Sequence, residues 1–175
     1  MYFTPDCIKQ IRCNIIINLA RDLHGQKMKN RKVYIQKELG HTPEKMKLLS
    51  EFCLFCAKVI PIQEDFSIWI VSDREKCGIS TTAAYVPGRK MVLVYGKGRS
   101  LVDVCRSIAH EMVHMAQDEK GQIQGEVQDI GGFHENQANA GAGALIKAFA
   151  QSQPQGRMIY ESRKKRIKNL IFQIL

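Results

Sequence analysis

The stretch AHEMVHMAQDEKGQ, residues 109–122, sets two histidines four apart, with Glu111 directly after the first. On a helix, residues four apart lie one above the other, so the imidazoles of His110 and His114 can grip one Zn²⁺ at about 2.0–2.1 Å. Glu111 then projects beside the metal, where it can take a proton from an attacking water. The same residues also suit the polar face of an ordinary amphipathic helix. The surrounding chain has to separate the two readings.

Ser100-Leu-Val-Asp103 opens this helix as a capping box with Asp in place of the usual Glu, and Gly121 is its expected stop. At about 100° per residue, Val104, Cys105, Ile108, Met112 and Met115 fall within about 60° of one direction. His110 and His114 lie on the opposite side, so they are not expected in the core, and two solvated residues near a helix end are the plain alternative to a metal pair.

A zinc enzyme of this kind needs a third protein ligand and one open position. The continuation HExxHxxGxxH is absent, because Gln117 stands at the glycine and Lys120 at the histidine. The next helical pattern, FHENQANAGAGALIKAF, offers another donor. Glu135 falls within about 40° of Asn139, Ala142, Ile146 and Phe149, at the head of an apolar stripe. A carboxylate buried there costs several kcal/mol unless it is paired or binds a metal, and no lysine or arginine shares that face. Glu135 is therefore the leading third ligand, with His134 and Asp129 as alternates. Asn139, one turn further on, can orient a ligand histidine from behind or serve as a satisfied buried amide.

The rest of the chain reads as one α+β domain over residues 1–175. Its parts are a helical N-terminal part (1–60), a core (61–155) and a basic amphipathic C-terminal helix (156–175). A helix is expected over 5–23, followed by the basic loop HGQKMKNRK. A second is expected from Thr42-Pro43 to about Ile60, where Pro61 stops it. FSIWIVS (66–72), ISTTAAY (79–85) and KMVLVYG (90–96) read as strands, the last two joined by a hairpin at Pro87-Gly88. Helices follow over 100–121 and 134–151. Cys53 and Cys56 of CLFC lie among Leu49, Phe52 and Val59, which marks them as small core residues rather than metal ligands.

The net charge of +9 is uneven. Residues 1–60 carry 11 Lys/Arg against 5 Asp/Glu, and residues 157–175 carry 6 against 1. Residues 96–156 hold 5 against 7, so the histidine motif sits in a mildly acidic middle between basic ends. That pattern points to chemistry in the middle and, at the ends, to docking on nucleic acid or another acidic surface. No run of about 18 apolar residues exists to span a bilayer. Polar residues interrupt any signal-peptide core near the N-terminus, so a cytoplasmic or virion-associated protein is expected rather than a secreted one.

The motif HEMVH followed by the E-x-x-A of Glu135 to Ala138 resembles the gluzincin branch of zinc metallopeptidases. More closely, GISTTAAYVPGRKMVLVYGKGRSLVDVCRSIAHEMVHMAQ and IGGFHENQANAGAGALIKAF are similar to small zincin-like proteins encoded by tailed bacteriophages. The resemblance covers about residues 66–160. It implies a zincin-like fold: a small twisted sheet, a helix bearing His110, Glu111 and His114, and a following helix bearing the glutamate ligand. It implies hydrolysis of a peptide or protein substrate with Glu111 as general base. It further implies that the strand Ser80–Tyr85, small at Ala83 and Ala84 and ending at Tyr85, lies along the substrate. Larger gluzincins stabilise the oxyanion with a downstream tyrosine or histidine, for which Tyr160 and His134 are the candidates here. Two rival functions stand beside this one. The first is a zincin-like module that binds zinc as a structural or interaction protein. The second is a DNA-associated protease of the SprT-like type, whose third histidine only His134 can supply.

Overall fold

The computed structural model describes residues 30–75, 81–123 and 131–160, together with the backbone of residues 13–18. Five strands, β1 (Cys13–Asn18), β2 (Arg31–Gln36), β3 (Phe66–Val71), β4 (Ala83–Val86) and β5 (Met91–Tyr95), form one mixed sheet in the order β1-β2-β3-β5-β4. The three central strands run parallel, while β1 and β4 join antiparallel at the two edges. Among the described residues, three helices complete the α+β arrangement: α1 (Pro43–Val59), α2 (Leu101–Glu119) and α3 (Phe133–Ser152). No described helix is long and apolar enough to cross a membrane.

The register lines up buried rungs across the sheet, Val33–Ile68–Val92 and Ile35–Ile70–Val94, with Ala83 opposite Val94. These side chains alternate toward one face, as the period of two demands, and meet α1 and α2 there. The other face carries a second apolar group, Val71, Met91 and Leu93, edged by Trp69, Ala84 and Val86.

The helix expected over 5–23 is overturned at residues 13–18, which are a strand, while residues 5–12 and 19–23 lie outside the described residues. Ile15, Ile16 and Ile17 make a β-branched run that favours the extended backbone, and β2 supplies a pairing partner. The basic loop likewise ends early, because Arg31 and Lys32 already belong to β2. Residues 81–82 form a bend, so the strand expected at 79–85 starts at Ala83 and extends to Val86; residues 76–80 lie outside the described residues. After α3 the chain makes a short 3₁₀ turn over Gly156–Tyr160 where the C-terminal helix was expected to begin, and 161–175 lie outside the described residues.

Thr42 caps α1 by accepting from the Lys45 amide, with Pro43 in the first turn. This helix presents Leu49, Phe52, Cys53 and Cys56 to the core, where Cys105 of α2 joins them as a free buried thiol. Burial pushes the Cys53 thiol up to about 12 and raises Cys56 and Cys105 as well, which makes them unreactive packing groups.

Helix α2 is pinned to the sheet at both ends. At its start, Ser100 accepts from the Asp103 amide and donates to the Asp103 carboxylate. The neighbouring Arg99 donates to the carbonyls of Tyr95 (2.9 Å) and Asp103 (3.0 Å) and to Ser107 Oγ (2.9 Å). At its end, Glu119 accepts from the amides of Gln63 (2.6 Å) and Glu64 (2.8 Å), ahead of β3. A carboxylate at a helix C-terminus is disfavoured by the dipole, and these two amide bonds offset that cost.

Gly156 closes the far end of α3. A Cβ there would stand 2.9 Å from Ala150 Cα and closer still to the Phe149 carbonyl oxygen, both rigid backbone. Gly156→Ala is therefore expected to destabilise the fold by about 1–3 kcal/mol. Urea unfolding with an unchanged slope and a lowered midpoint is the expected result.

Candidate metal centre

Helix α3 packs along α2 through small residues. Ala138 and Ala142 are fully buried, and a Cβ on Gly141 would meet Val113 Cγ2 at 3.2 Å. This approach brings the first turn of α3 over the histidine face of α2. His110 Nε2 and His114 Nε2 stand 3.0 Å apart. Glu135 completes a triangle, with Oε1 3.3 Å from His110 Nε2 and Oε2 3.1 Å from His114 Nε2. One donor atom from each residue lies within 4.8 Å of the others.

The donor set and its spacing fit a divalent metal. Ligands about 2.0–2.1 Å from a tetrahedral Zn²⁺ lie about 3.3 Å from one another, close to the sides of this triangle. Two imidazoles and a carboxylate suit several first-row ions, Zn²⁺ and Fe²⁺ among them.

The helical wheel places both histidines outside the core, and for His114 that expectation is overturned. Its residue is 3% exposed, because α3 covers the side of α2 turned away from the sheet. His110 is half-buried. Burial lowers its pKa, the nearby Glu135 carboxylate pulls the other way without prevailing, and His114 adds to the lowering. The net direction favours the neutral ring, the form that binds a metal.

Asn139 is exposed rather than buried, yet its Nδ2 donates to Glu135 Oε1 at 3.1 Å and steadies the carboxylate. His134 is not one of the converging donors: its backbone oxygen accepts from Gln117, and its ring packs edge-on to Phe133. Tyr160 is not brought to the site. Its turn seats Gly156 against Phe149 and Ala150, roughly 20 Å along α3 from Glu135. Asp129 lies outside the described residues.

Glu111 sits about 100° around α2 from His110, on the face shared by Ser107 and Asp118. Ser107 is held by Arg99, and Asp118 accepts from Tyr85 Oη and Lys90 Nζ, both at 2.7 Å. That face is therefore the one turned toward the β4–β5 hairpin. Ala83 faces the helices, whereas Ala84 lies on the opposite face of the sheet, so the two alanines do not share a side. Burial, and after it Asp118, raise the Tyr85 hydroxyl and keep it a donor. Burial opposes ionisation of Asp118, but Lys90 and Tyr85 together hold it below the usual carboxylate range.

No protein-family model, curated protein or solved structure matches the chain. The geometry of its own residues is what carries a functional reading.

The residue that sequence reasoning missed is Gln117, 3% exposed, whose Oε1 lies 2.8 Å from His114 Nδ1. Its spacing of three from His114 on one helix face was the available signal.

Glu135→Ala is expected to weaken Zn²⁺ binding by more than the roughly 10–100-fold typical of an outer hydrogen-bond partner. Titration against a competing chelator measures it. Because the His110 pKa lies below its ordinary value, protons compete with the metal there only below the usual imidazole range. Zn²⁺ occupancy is therefore expected to persist through the ordinary imidazole range and to be lost only at more acidic pH, as read by equilibrium dialysis.

Proposed function

We propose that this protein is a zinc-dependent metallopeptidase. The observation that carries the reading is the convergence of His110 Nε2, His114 Nε2 and the Glu135 carboxylate within 4.8 Å, with an acidic residue next to the first histidine. Once bound, the ion would act as a Lewis acid, lowering the pKa of water and polarising a carbonyl.

The chain's own residues divide the remaining work. Glu111 accepts the proton of the attacking water and passes it to the departing amine. Its face of α2 is turned toward the hairpin, so it stands between the ligand triangle and β4. Strand β4 is an edge of the sheet, with no partner on its outer side among the described residues. An extended peptide can pair there by strand addition, its backbone presented to Glu111. These features support a zincin-like arrangement, in which an edge strand, a histidine helix and a glutamate helix enclose the site. The proposal takes in a phage-encoded protein acting on a peptide or protein substrate in the host cytoplasm or the virion. In it the basic ends dock on nucleic acid or another acidic surface.

A structural zinc site has no need of a base beside an open position, and that difference sets the experiment. Purified wild type and Glu111→Gln are analysed for metal and assayed on a broad peptide library. Stoichiometric zinc in both is expected, with cleavage by the variant reduced by about 10²–10⁴-fold. Equal cleavage by the two proteins, or a wild type that binds no zinc, overturns the reading. Repeating the assay with single-stranded DNA tests whether the basic ends contribute.

A further inference from the structure

Gln117 is buried between the two ligand-bearing helices and is engaged at both ends of its amide. Its Nε2 faces the backbone oxygen of His134 at 3.2 Å and Gln137 Oε1 at 2.8 Å. Its Oε1 faces His114 Nδ1 at 2.8 Å. A main-chain carbonyl can only accept, so the end of the Gln117 amide that meets His134 must be the NH₂. The oxygen is then the end that meets His114. An amide oxygen can only accept, so the proton of the imidazole resides on Nδ1. His114 Nε2 is thereby left with a free lone pair, at the point where His110 Nε2 (3.0 Å) and Glu135 Oε2 (3.1 Å) converge.

The other tautomer has a ready alternative partner. A proton on His114 Nε2 would be donated to Glu135 Oε2, and two of the three donor groups would be consumed by each other. His114 stands 3% exposed, so no bulk water is at hand to satisfy Nδ1 in place of the amide. The choice between a binding and a non-binding triangle thus depends on which way one glutamine is turned.

We propose that Gln117 is a positioning residue that reads the carbonyl of His134 and fixes His114 as its Nδ1–H tautomer, so that the turn of α3 which delivers Glu135 also makes His114 competent to bind a metal. The carbonyl and the third ligand are adjacent in sequence. Docking of that turn therefore supplies the ligand and sets the tautomer in one step. The inference rests on the metal-centre reading, but its first readout does not require a metal.

Long-range ¹⁵N–¹H correlation spectra of the full-length, metal-free protein report the tautomer of His114 directly. Wild type is expected as Nδ1–H. Gln117→Met keeps the side-chain length without either hydrogen-bonding end, and is expected to shift His114 toward Nε2–H and weaken Zn²⁺ binding by about 10–100-fold. Gln117→Glu keeps an acceptor for Nδ1–H, and is expected to retain that tautomer and a Zn²⁺ affinity within about tenfold of wild type. An Nε2–H tautomer in wild type, or a Met variant with the wild-type tautomer and affinity, overturns the inference. If the Met variant does not fold, an Nε2–H tautomer in the Glu variant does the same. A wild type that shows Nδ1–H but takes up no zinc would instead sink the metallopeptidase reading and leave the tautomer assignment standing.

Discussion

The close approach of α2 and α3 is the constraint on which the site depends. It is made possible by Ala138, Gly141 and Ala142, whose small side chains let the two helices meet at Val113. Without that approach, His110 and His114 are two polar residues on an outer helix face. With it, they are joined by a carboxylate from the second helix and withdrawn from water. Burying these groups separately is costly, because an unpaired charge loses its hydration. Each of the three now finds the other two, and Asn139 and Gln117 satisfy atoms left over.

For α2 to keep its two histidines toward α3 and its third face toward the hairpin, it must also be fixed against the sheet. The two anchors of α2 lie far apart along its axis. Arg99 ties the first turns to β5, and Glu119 ties the last turn to the segment before β3. Between them, Asp118 engages Tyr85 of β4 and Lys90 of the hairpin turn. These contacts determine the rotation of α2 about its axis. With the rotation set, the histidines face α3, the apolar stripe faces the sheet and α1, and Glu111 faces the hairpin edge. Function on this reading follows from one helix having three distinct neighbours.

What the sequence reveals follows the range of each signal. The boundaries of α1 and α2 are local, written in Thr42-Pro43 and Ser100-x-x-Asp103, and they form where expected. β3, β5 and the turn at Pro87 are local in the same way. Glu135 was legible because a charge interrupted an apolar stripe, and the structure brings it to both histidines. The strands β1 and β2 were missed because their identity depends on pairing with each other and with β3. The pairing joins residues such as Tyr34 and Trp69, which stack at 4.0 Å across a gap of 35 positions. Tyr85 and Asp118 meet over 33 positions, and no local pattern announces that bond.

The misplacement of His114 has a more general cause. A helical wheel that looks for one apolar stripe assigns everything opposite to solvent, but α2 is buried on two sides. The second buried side consists of His110, Val113, His114 and Gln117, spaced i, i+3, i+4 and i+7. That is the spacing of a helix–helix seam, whatever the chemistry of its members. Three of the four are polar, which conceals the seam from any measure of hydrophobicity. Small residues at the matching period in α3, Ala138, Gly141 and Ala142, are the complementary half of the pattern. A polar stripe at seam spacing, followed by a helix with a small-residue stripe and one misplaced carboxylate, is therefore better read as a buried polar junction than as a solvated face. Such a junction needs every donor and acceptor matched, which is why a residue as unassuming as Gln117 falls at its centre.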